Sequence, residues 1–343
     1  MTTTIVLIMC VAAVLGFALT WLSQKAGVLD LPNARSSHAT PTPRAGGLGI
    51  VAGFAAGLMV GAFSGLSAPH IALLLITIGL FCALGLIDDL FSVSERWKAL
   101  VFIGLCVLLV FLTGPVSWMR ISAELGFVLP IWAGFAGSVL FAFTVINTVN
   151  FMDGSDGMLA AVMVPASIGL AMAGFVVGSS DAALLSFALS GALVGFLFLN
   201  AHPAKVFSGD CGSLAVGAAY SAAALMIAGQ GAAAALWIGP LFALVFLTDV
   251  LLTLLRRARH GRLTLSAHRE HAYQRLIQSG WSHTQVAAVY GALTVFIVFS
   301  GLVALQGPPL ALFLVFAFWT AVLSTLYVSV DRLAAARAEP SGH

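Results

Sequence analysis

Long apolar runs, interrupted by short polar clusters, set the pattern of this 343-residue chain. A helix needs about 20 apolar residues to cross the hydrocarbon core of a bilayer. Applied along the sequence, that length predicts eleven spans, near 4–23, 48–66, 69–87, 98–114, 130–148, 158–178, 182–200, 213–229, 233–253, 285–306 and 308–328. The alternating ten-residue segments of a membrane β-barrel are absent. The predicted fold is an all-α polytopic integral membrane protein, one domain over residues 1–343. Its inter-span loops near 24–47, 88–97, 149–157, 201–212 and 254–284 carry the polar chemistry. Before the first span, Met1-Thr2-Thr3-Thr4 supplies no positive segment and Lys25 follows it, so the span reads as a retained helix rather than a signal peptide.

Composition sharpens this picture. The chain is 60% hydrophobic and only 8% charged, with a mean hydropathy of +1.05, which excludes an ordinary soluble domain. The basic residues choose an orientation. With the N-terminus outside and the C-terminus cytoplasmic, all 15 Lys and Arg except Arg120 fall on the inner side. The predicted location is therefore the cytoplasmic (inner) membrane, multi-pass, with every polar cluster facing the cytoplasm. A positive inner face favours anionic headgroups and nucleotide phosphates, and nothing marks a nucleic-acid partner. Four cysteines without CxxC spacing indicate neither a disulfide framework nor a zinc site. Trp118, Trp132 and Trp281 at span ends read as interfacial anchors.

Five polar clusters remain. His38-Ala-Thr-Pro-Thr-Pro-Arg44-Ala-Gly-Gly47 combines a proline-stiffened approach with glycines that allow close backbone contact; Arg44 could fork onto a phosphate or simply anchor the inner face. Asp88 and Asp89 adjoin at a helix C-terminus, where the dipole and mutual repulsion disfavour them unless a cation compensates. Mg²⁺ takes one or two carboxylates together with waters and substrate phosphates, and Arg96 and Lys98 stand ready beside them. The run Asn147-Thr-Val-Asn150-Phe-Met-Asp153-Gly-Ser-Asp156-Gly157 places two amides one helical turn apart, followed by two acids on a glycine-rich loop. Phe207-Ser-Gly-Asp210-Cys-Gly-Ser213 sets one carboxylate at a helix N-terminus, as a capping residue or a phosphate-site ligand. The last loop holds Arg256, Arg257 and Arg259, then His268-Arg269-Glu-His271, with the histidines on one face if the stretch is helical. Asp249, inside the ninth span, is a functional candidate as an intramembrane carboxylate, but pairing with Arg256 or Arg257 could satisfy it, and it reads as structural or as supporting the residues that touch substrate. His70, His202, His260 and His283 read as structural or surface residues.

Taken in order, HATPTPRAGG, LGLIDDL, NTVNFMDGSDG, VFSGDCGS and the HREH loop resemble the polyprenyl-phosphate N-acetylhexosamine-1-phosphate transferase family, over residues 38 to 275. That resemblance implies transfer of a sugar 1-phosphate from a UDP-sugar to undecaprenyl phosphate with release of UMP. It implies Mg²⁺ as cofactor, with Mn²⁺ as its substitute, held by Asp210 and Asn150. It places Asp88 and Asp89 at the phosphates as catalytic residues with Asp210. It gives substrate binding to Arg44, Lys98, Asn147, Asp153, Asp156, His268, Arg269 and His271. A homodimer is compatible with it. Better-known members carry adjacent histidines in the last loop, whereas Arg269 and Glu270 separate two here; the His-Arg-x-His-Ala-Tyr-Gln pattern is closer to the O-antigen-initiating branch, which uses N-acetylated amino- or deoxyamino-sugars. The competing classes are a secondary transporter of phosphorylated sugars or lipids, whose sites belong near the midplane, and a CDP-alcohol phosphotransferase, whose Asp-Gly signature continues in Ala-Arg, as Asp153-Gly does not.

Overall fold

The structure, a computed structural model, describes residues 2–26, 29–30, 41–65, 70–91, 93–122, 124–230, 235–261 and 269–338. Thirteen helices follow one another: α1 (Thr2–Ser23), α2 (Gly46–Phe63), α3 (His70–Phe91), α4 (Glu95–Thr113), α5 (Ile131–Met152), α6 (Met158–Val177), α7 (Ser180–Asn200), α8 (Gly209–Gly229), α9 (Ile238–Phe242), α10 (Leu244–Arg259), α11 (Ala272–Gln278), α12 (His283–Leu305) and α13 (Pro309–Ala338). Two short antiparallel pairs accompany them: β1 (Leu29–Asp30) with β2 (Thr42–Pro43), and β3 (Trp118–Arg120) with β4 (Gly126–Val128). Among the described residues, ten helices are long and apolar enough to span a membrane, or eleven with α9 and α10 taken as one span. The protein is a multi-span helical membrane protein, as the hydrophobic pattern predicts.

The core is built around α8, which is buried without interruption from Cys211 to Ile227. Its sequence explains this: Gly, Ala and Ser at most positions let neighbouring backbones close in, the way helices associate in lipid. Helices α2, α3, α5, α6 and α7 surround it, while α1 and α13 lie at the perimeter with broad exposed apolar faces. Trp132 and Trp281 are exposed near helix ends, and Trp118 is exposed in the β3–β4 hairpin.

The ninth predicted span departs from a straight rod. It breaks at Ala243 and turns by 70° between α9 and α10. Pro240 cannot donate a backbone hydrogen bond, and the turn that follows is loose: Ala243 N–H reaches the Gly239 carbonyl only at 3.4 Å. The Tyr220 hydroxyl takes up that same carbonyl at 2.8 Å. Beside the bend lies an open apolar groove of about 450 Å³, lined by Leu140 and Thr144 of α5, Leu247 and Leu251 of α10, and Phe316 and Thr320 of α13. Gly137, Phe141 and Pro240 also line a second apolar cavity of about 200 Å³ that reaches Val116 and Met119, next to the β3–β4 hairpin.

Candidate active site

The N-terminus of α8 is the anchor of the site, and backbone hydrogen bonds fix what surrounds it. Phe207 N–H donates to Pro43 O at 2.7 Å, Gly46 N–H to Phe207 O at 2.9 Å and Gly47 N–H to Ser208 O at 2.9 Å. The segment predicted to carry Arg44 is thereby laced to the segment carrying Asp210. Two glycines make the approach feasible: a Cβ on Gly47 would lie 2.2 Å from Gly212 N, and one on Gly85 of α3 would lie 2.4 Å from the Asp210 carbonyl. No side chain fits there, so α2 and α3 meet α8 backbone to backbone.

That contact brings the acids together. Lys98 Nζ, from the first turn of α4, donates to Asp88 Oδ2 at 2.5 Å and to Asp210 Oδ2 at 2.7 Å. Asp88 Oδ1 also accepts from Val93 N–H at 3.0 Å. Asp89 faces the other way along the same turn. Its side-chain oxygen accepts from Cys211 N–H at 3.3 Å, and it sits 3.6 Å from Arg44 Nη1, while Arg44 Nη2 donates to its backbone carbonyl. Asp153, the residue closing α5, accepts from the Ser208 hydroxyl. Asn150, one turn earlier, accepts from Ser213 Oγ at 3.1 Å. Asp88, Asp89, Asn150, Asp153 and Asp210 thus gather at one end of α3, α5 and α8, with Arg44 and Lys98 among them. The predicted set converges.

Electrostatics registers the crowding. Burial, followed by repulsion from Asp210 and Asp89, pushes the Asp153 carboxyl up to about 8, against the pull of the Ser208 hydroxyl. One buried donor is unmatched as well: Arg44 Nε has no hydrogen-bond partner among the described residues. An excess of carboxylate oxygens with an amide oxygen beside them is the donor set a hard divalent cation takes, and an unpaired guanidinium N–H suits an anion.

The remaining predicted residues are more dispersed. Asn147 shares a face of α5 with Asn150, but its amide donates to Phe143 O at 2.8 Å within its own helix. Asp156 belongs to a separate cluster. Its Oδ2 accepts from His202 Nδ1 at 2.7 Å and from Ala204 N–H at 3.1 Å, and its Oδ1 lies 3.9 Å from His283 Nδ1. Potential metal-binding atoms of Asp156, His202 and His283 all lie within 4.8 Å of one another. His283 Nδ1, however, contacts Ser155 Oγ at 2.9 Å and accepts from Asp156 N–H at 3.3 Å, so hydrogen bonding already accounts for the cluster as a brace between two loops and the start of α12. Residues 269–271 precede α11 and are not helical; His271 is its N-cap, buried against Asp249 and the Phe151 and Tyr273 rings. His268 lies outside the described residues.

One expected pairing is corrected. Asp249 and the two arginines, Arg256 and Arg257, find different partners among the described residues. Those arginines bind Glu270, at 2.8 Å and 3.3 Å, and Arg256 also binds Asp331 at 3.1 Å. Asp249 instead accepts from Ala272 N–H, Tyr273 N–H and the Tyr290 hydroxyl.

The sequence of the chain is matched in known proteins. The profile of Glycosyl transferase family 4 matches residues 71–228. A decaprenyl-phosphate N-acetylglucosaminephosphotransferase of Mycobacterium tuberculosis (strain ATCC 25618 / H37Rv) is 31% identical over 301 residues, covering 78% of this chain and 73% of that protein. The chain belongs to glycosyl transferase family 4, the polyprenyl-phosphate sugar-phosphate transferases. Two further family 4 relatives bracket it. A probable undecaprenyl-phosphate N-acetylglucosaminyl 1-phosphate transferase of Bacillus subtilis (strain 168) is 32% identical over 273 residues, covering 76% of this chain and 72% of that protein. A phospho-N-acetylmuramoyl-pentapeptide-transferase of Desulforudis audaxviator (strain MP104C) is 30% identical over 296 residues, covering 80% and 87%. In this family 4 chain the family match spans α3 to α8 and so includes Asp88, Asp89, Lys98, Asn150, Asp153 and Asp210. Sequence reading missed Ser208 and Tyr273, which act through contacts between distant segments, and offered Ser213 only as a helix cap; His202 and His283, read as structural or surface residues, do hold a structural contact with Asp156.

Proposed function

We propose that this chain transfers a sugar 1-phosphate, bearing an N-acetylated amino- or deoxyamino-hexose, from a UDP-sugar to undecaprenyl phosphate. UMP leaves and undecaprenyl-diphosphate-sugar is formed, as the initiating step of O-antigen or another cell-surface polysaccharide. The reaction belongs at the cytoplasmic face of the inner membrane, where the basic residues would place the acid cluster. The observation that carries this reading is the gathering of Asp88, Asp89, Asn150, Asp153 and Asp210 with Lys98 and Arg44 at one end of the helices, with an open apolar groove along α5, α10 and α13. The groove lines α5 through Thr144, one turn before Asn147, and Leu140 and Leu251 are exposed, so an isoprenoid tail could enter from the bilayer with its phosphate towards the acids.

In chemical terms, an oxygen of the acceptor phosphate bonds to the sugar-bearing phosphorus of the UDP-sugar, and the bond from that phosphorus to the bridging oxygen of UMP breaks. A phosphate monoester with a second pKa near 6 is mostly dianionic at neutral pH, so a strong general base is not obligatory. Asp88 is the better placed of the pair to orient the acceptor or take its last proton: a fifth of its side chain is exposed, against 6% for Asp89. Arg44 and Lys98 would neutralise charge on the non-bridging oxygens. Asp210 and Asn150, with Asp153 in reach, are the residues that would hold Mg²⁺, which supplies charge neutralisation at the diphosphate.

The test is direct. Purified chain in detergent is incubated with undecaprenyl phosphate and a panel of UDP-sugars, with Mg²⁺ or with EDTA, and the lipid is weighed by mass spectrometry. A lipid diphosphate-sugar formed with one or more UDP-sugars, and lost in EDTA, supports the proposal; unaltered lipid with every donor contradicts it. A transporter would need sealed vesicles and would leave the lipid unchanged.

A further inference from the structure

Asp249 is 3% exposed, inside α10 of a membrane-spanning pair, while Arg256 and Arg257 of the same helix bind Glu270. Apart from the Thr253 hydroxyl, which donates to Oδ1 at 3.4 Å within α10, the partners of Asp249 come from elsewhere in the chain. Oδ1 accepts from Ala272 N–H at 2.8 Å and Oδ2 from Tyr273 N–H at 3.1 Å. These are the first two amides of α11, which no intrahelical carbonyl can satisfy. The Tyr290 hydroxyl of α12 donates to Oδ2 at 2.7 Å, and His271 Nδ1 stands 3.3 Å from Oδ1. One carboxylate therefore ties α10, α11 and α12 together at the point where the segment Arg269–His271 enters its helix.

The tie continues into the acid cluster. Tyr273, held by its amide, extends its hydroxyl to the Phe151 carbonyl at 3.4 Å. The same hydroxyl presses on Gly154, where a Cβ would lie only 2.1 Å away, so the turn after α5 has been shaped around it. Phe151 and Gly154 flank Met152 and Asp153, and Phe151 directly follows Asn150. On the far side, Glu270 is held by Arg256 and Arg257, and its carbonyl accepts from Arg275 at 2.7 Å.

We propose that Asp249 is a positioning residue of this active site: by capping α11 and fixing Tyr273, it sets both the Arg269–His271 segment and the Asn150–Asp153 turn against the donor's diphosphate. The inference rests on the UDP-sugar reading only for the identity of the bound group; the cap itself is independent of it.

Two measurements on the resting full-length protein separate these parts. In Asp249→Asn, which keeps only one acceptor oxygen, amide exchange at Ala272 and Tyr273 should accelerate at least about tenfold, and affinity for UDP should fall about tenfold while affinity for UMP changes much less. Tyr273→Phe retains the cap, so exchange at those amides should stay as in the parent, yet UDP affinity should still fall severalfold. Unchanged exchange in Asp249→Asn overturns the cap. Parental UDP affinity in both variants, or equal loss for UDP and UMP, overturns the positioning role. If the parent protein binds neither nucleotide, the UDP-sugar reading and the positioning role built on it fail together, and the exchange result decides the cap alone.

Discussion

Lys98 bridging Asp88 and Asp210 defines the resting charge balance of the site, because one ammonium answers two of its four carboxyl groups. Asp210 is the acid nearest the frame's fixed point, the α8 N-terminus, and Asp210→Asn is expected to abolish transfer while the protein purifies and unfolds as before; full activity in that variant would remove the metal assignment. Asp153 gives a pH signature. Its carboxyl, pushed up to about 8, stays largely protonated below that pH in the resting protein. A divalent cation favours the charged form, so binding expels a proton, and affinity rises with pH until about 8 and then levels off. The sign for stability is opposite: between the unfolded value near 3.9 and about 8 the native state holds the extra proton, so the metal-free protein loses stability as pH rises. Mn²⁺ binding followed by electron paramagnetic resonance across this range checks the first statement. Asp153→Asn should flatten the profile, and a pH-independent affinity in the parent contradicts it.

Among the elements, the meeting of α3 with α8 carries the site's precision. Gly85→Ala would drive a methyl into the Asp210 backbone, which cannot move aside as a flexible side chain could. Transfer activity is expected to drop at least tenfold, with a lower unfolding temperature. Gly79→Ala on the same helix, where nothing lies within 4 Å, should be silent; equal behaviour of the two variants would count against the close-packed frame. Element boundaries were largely legible beforehand: the predicted starts and ends of α1, α6 and α7 fall within two residues of those observed. The bend at Ala243 was not legible, because a 20-residue apolar window runs across Gly239-Pro240 and the break depends on Tyr220 from another helix. The partners of Asp249 were missed for a related reason. Sequence proximity favoured Arg256 and Arg257, whereas the fold delivers the amides of Ala272 and Tyr273, whose pairing leaves no mark in a local pattern. The acid clusters could be read because each combines scarce polar residues with glycine at a span end; the Asp156–His202–His283 brace could not, since its members stand on two loops and the first turn of α12, far apart in sequence.

For the molecule as a whole, the proposed reaction would use two different surfaces, the helix ends for a soluble donor and the apolar groove along α5, α10 and α13 for a lipid acceptor. Filling the groove should therefore affect one substrate only. Leu251→Trp, at an exposed groove position, is expected to raise KM for undecaprenyl phosphate several-fold while leaving KM for the UDP-sugar near its parental value; matched changes in both would argue that the groove is not the acceptor's. The central claim, that a sugar leaves its nucleotide together with one phosphate, is tested most directly by the fate of the donor's two phosphorus atoms. With UDP-N-acetylglucosamine, or whichever UDP-sugar proves active, labelled in turn at each phosphate, the account predicts that the sugar-linked label moves to the lipid and the uridine-linked label is recovered in UMP. Recovery of both labels in UDP, with an unlabelled lipid-linked sugar, would contradict it.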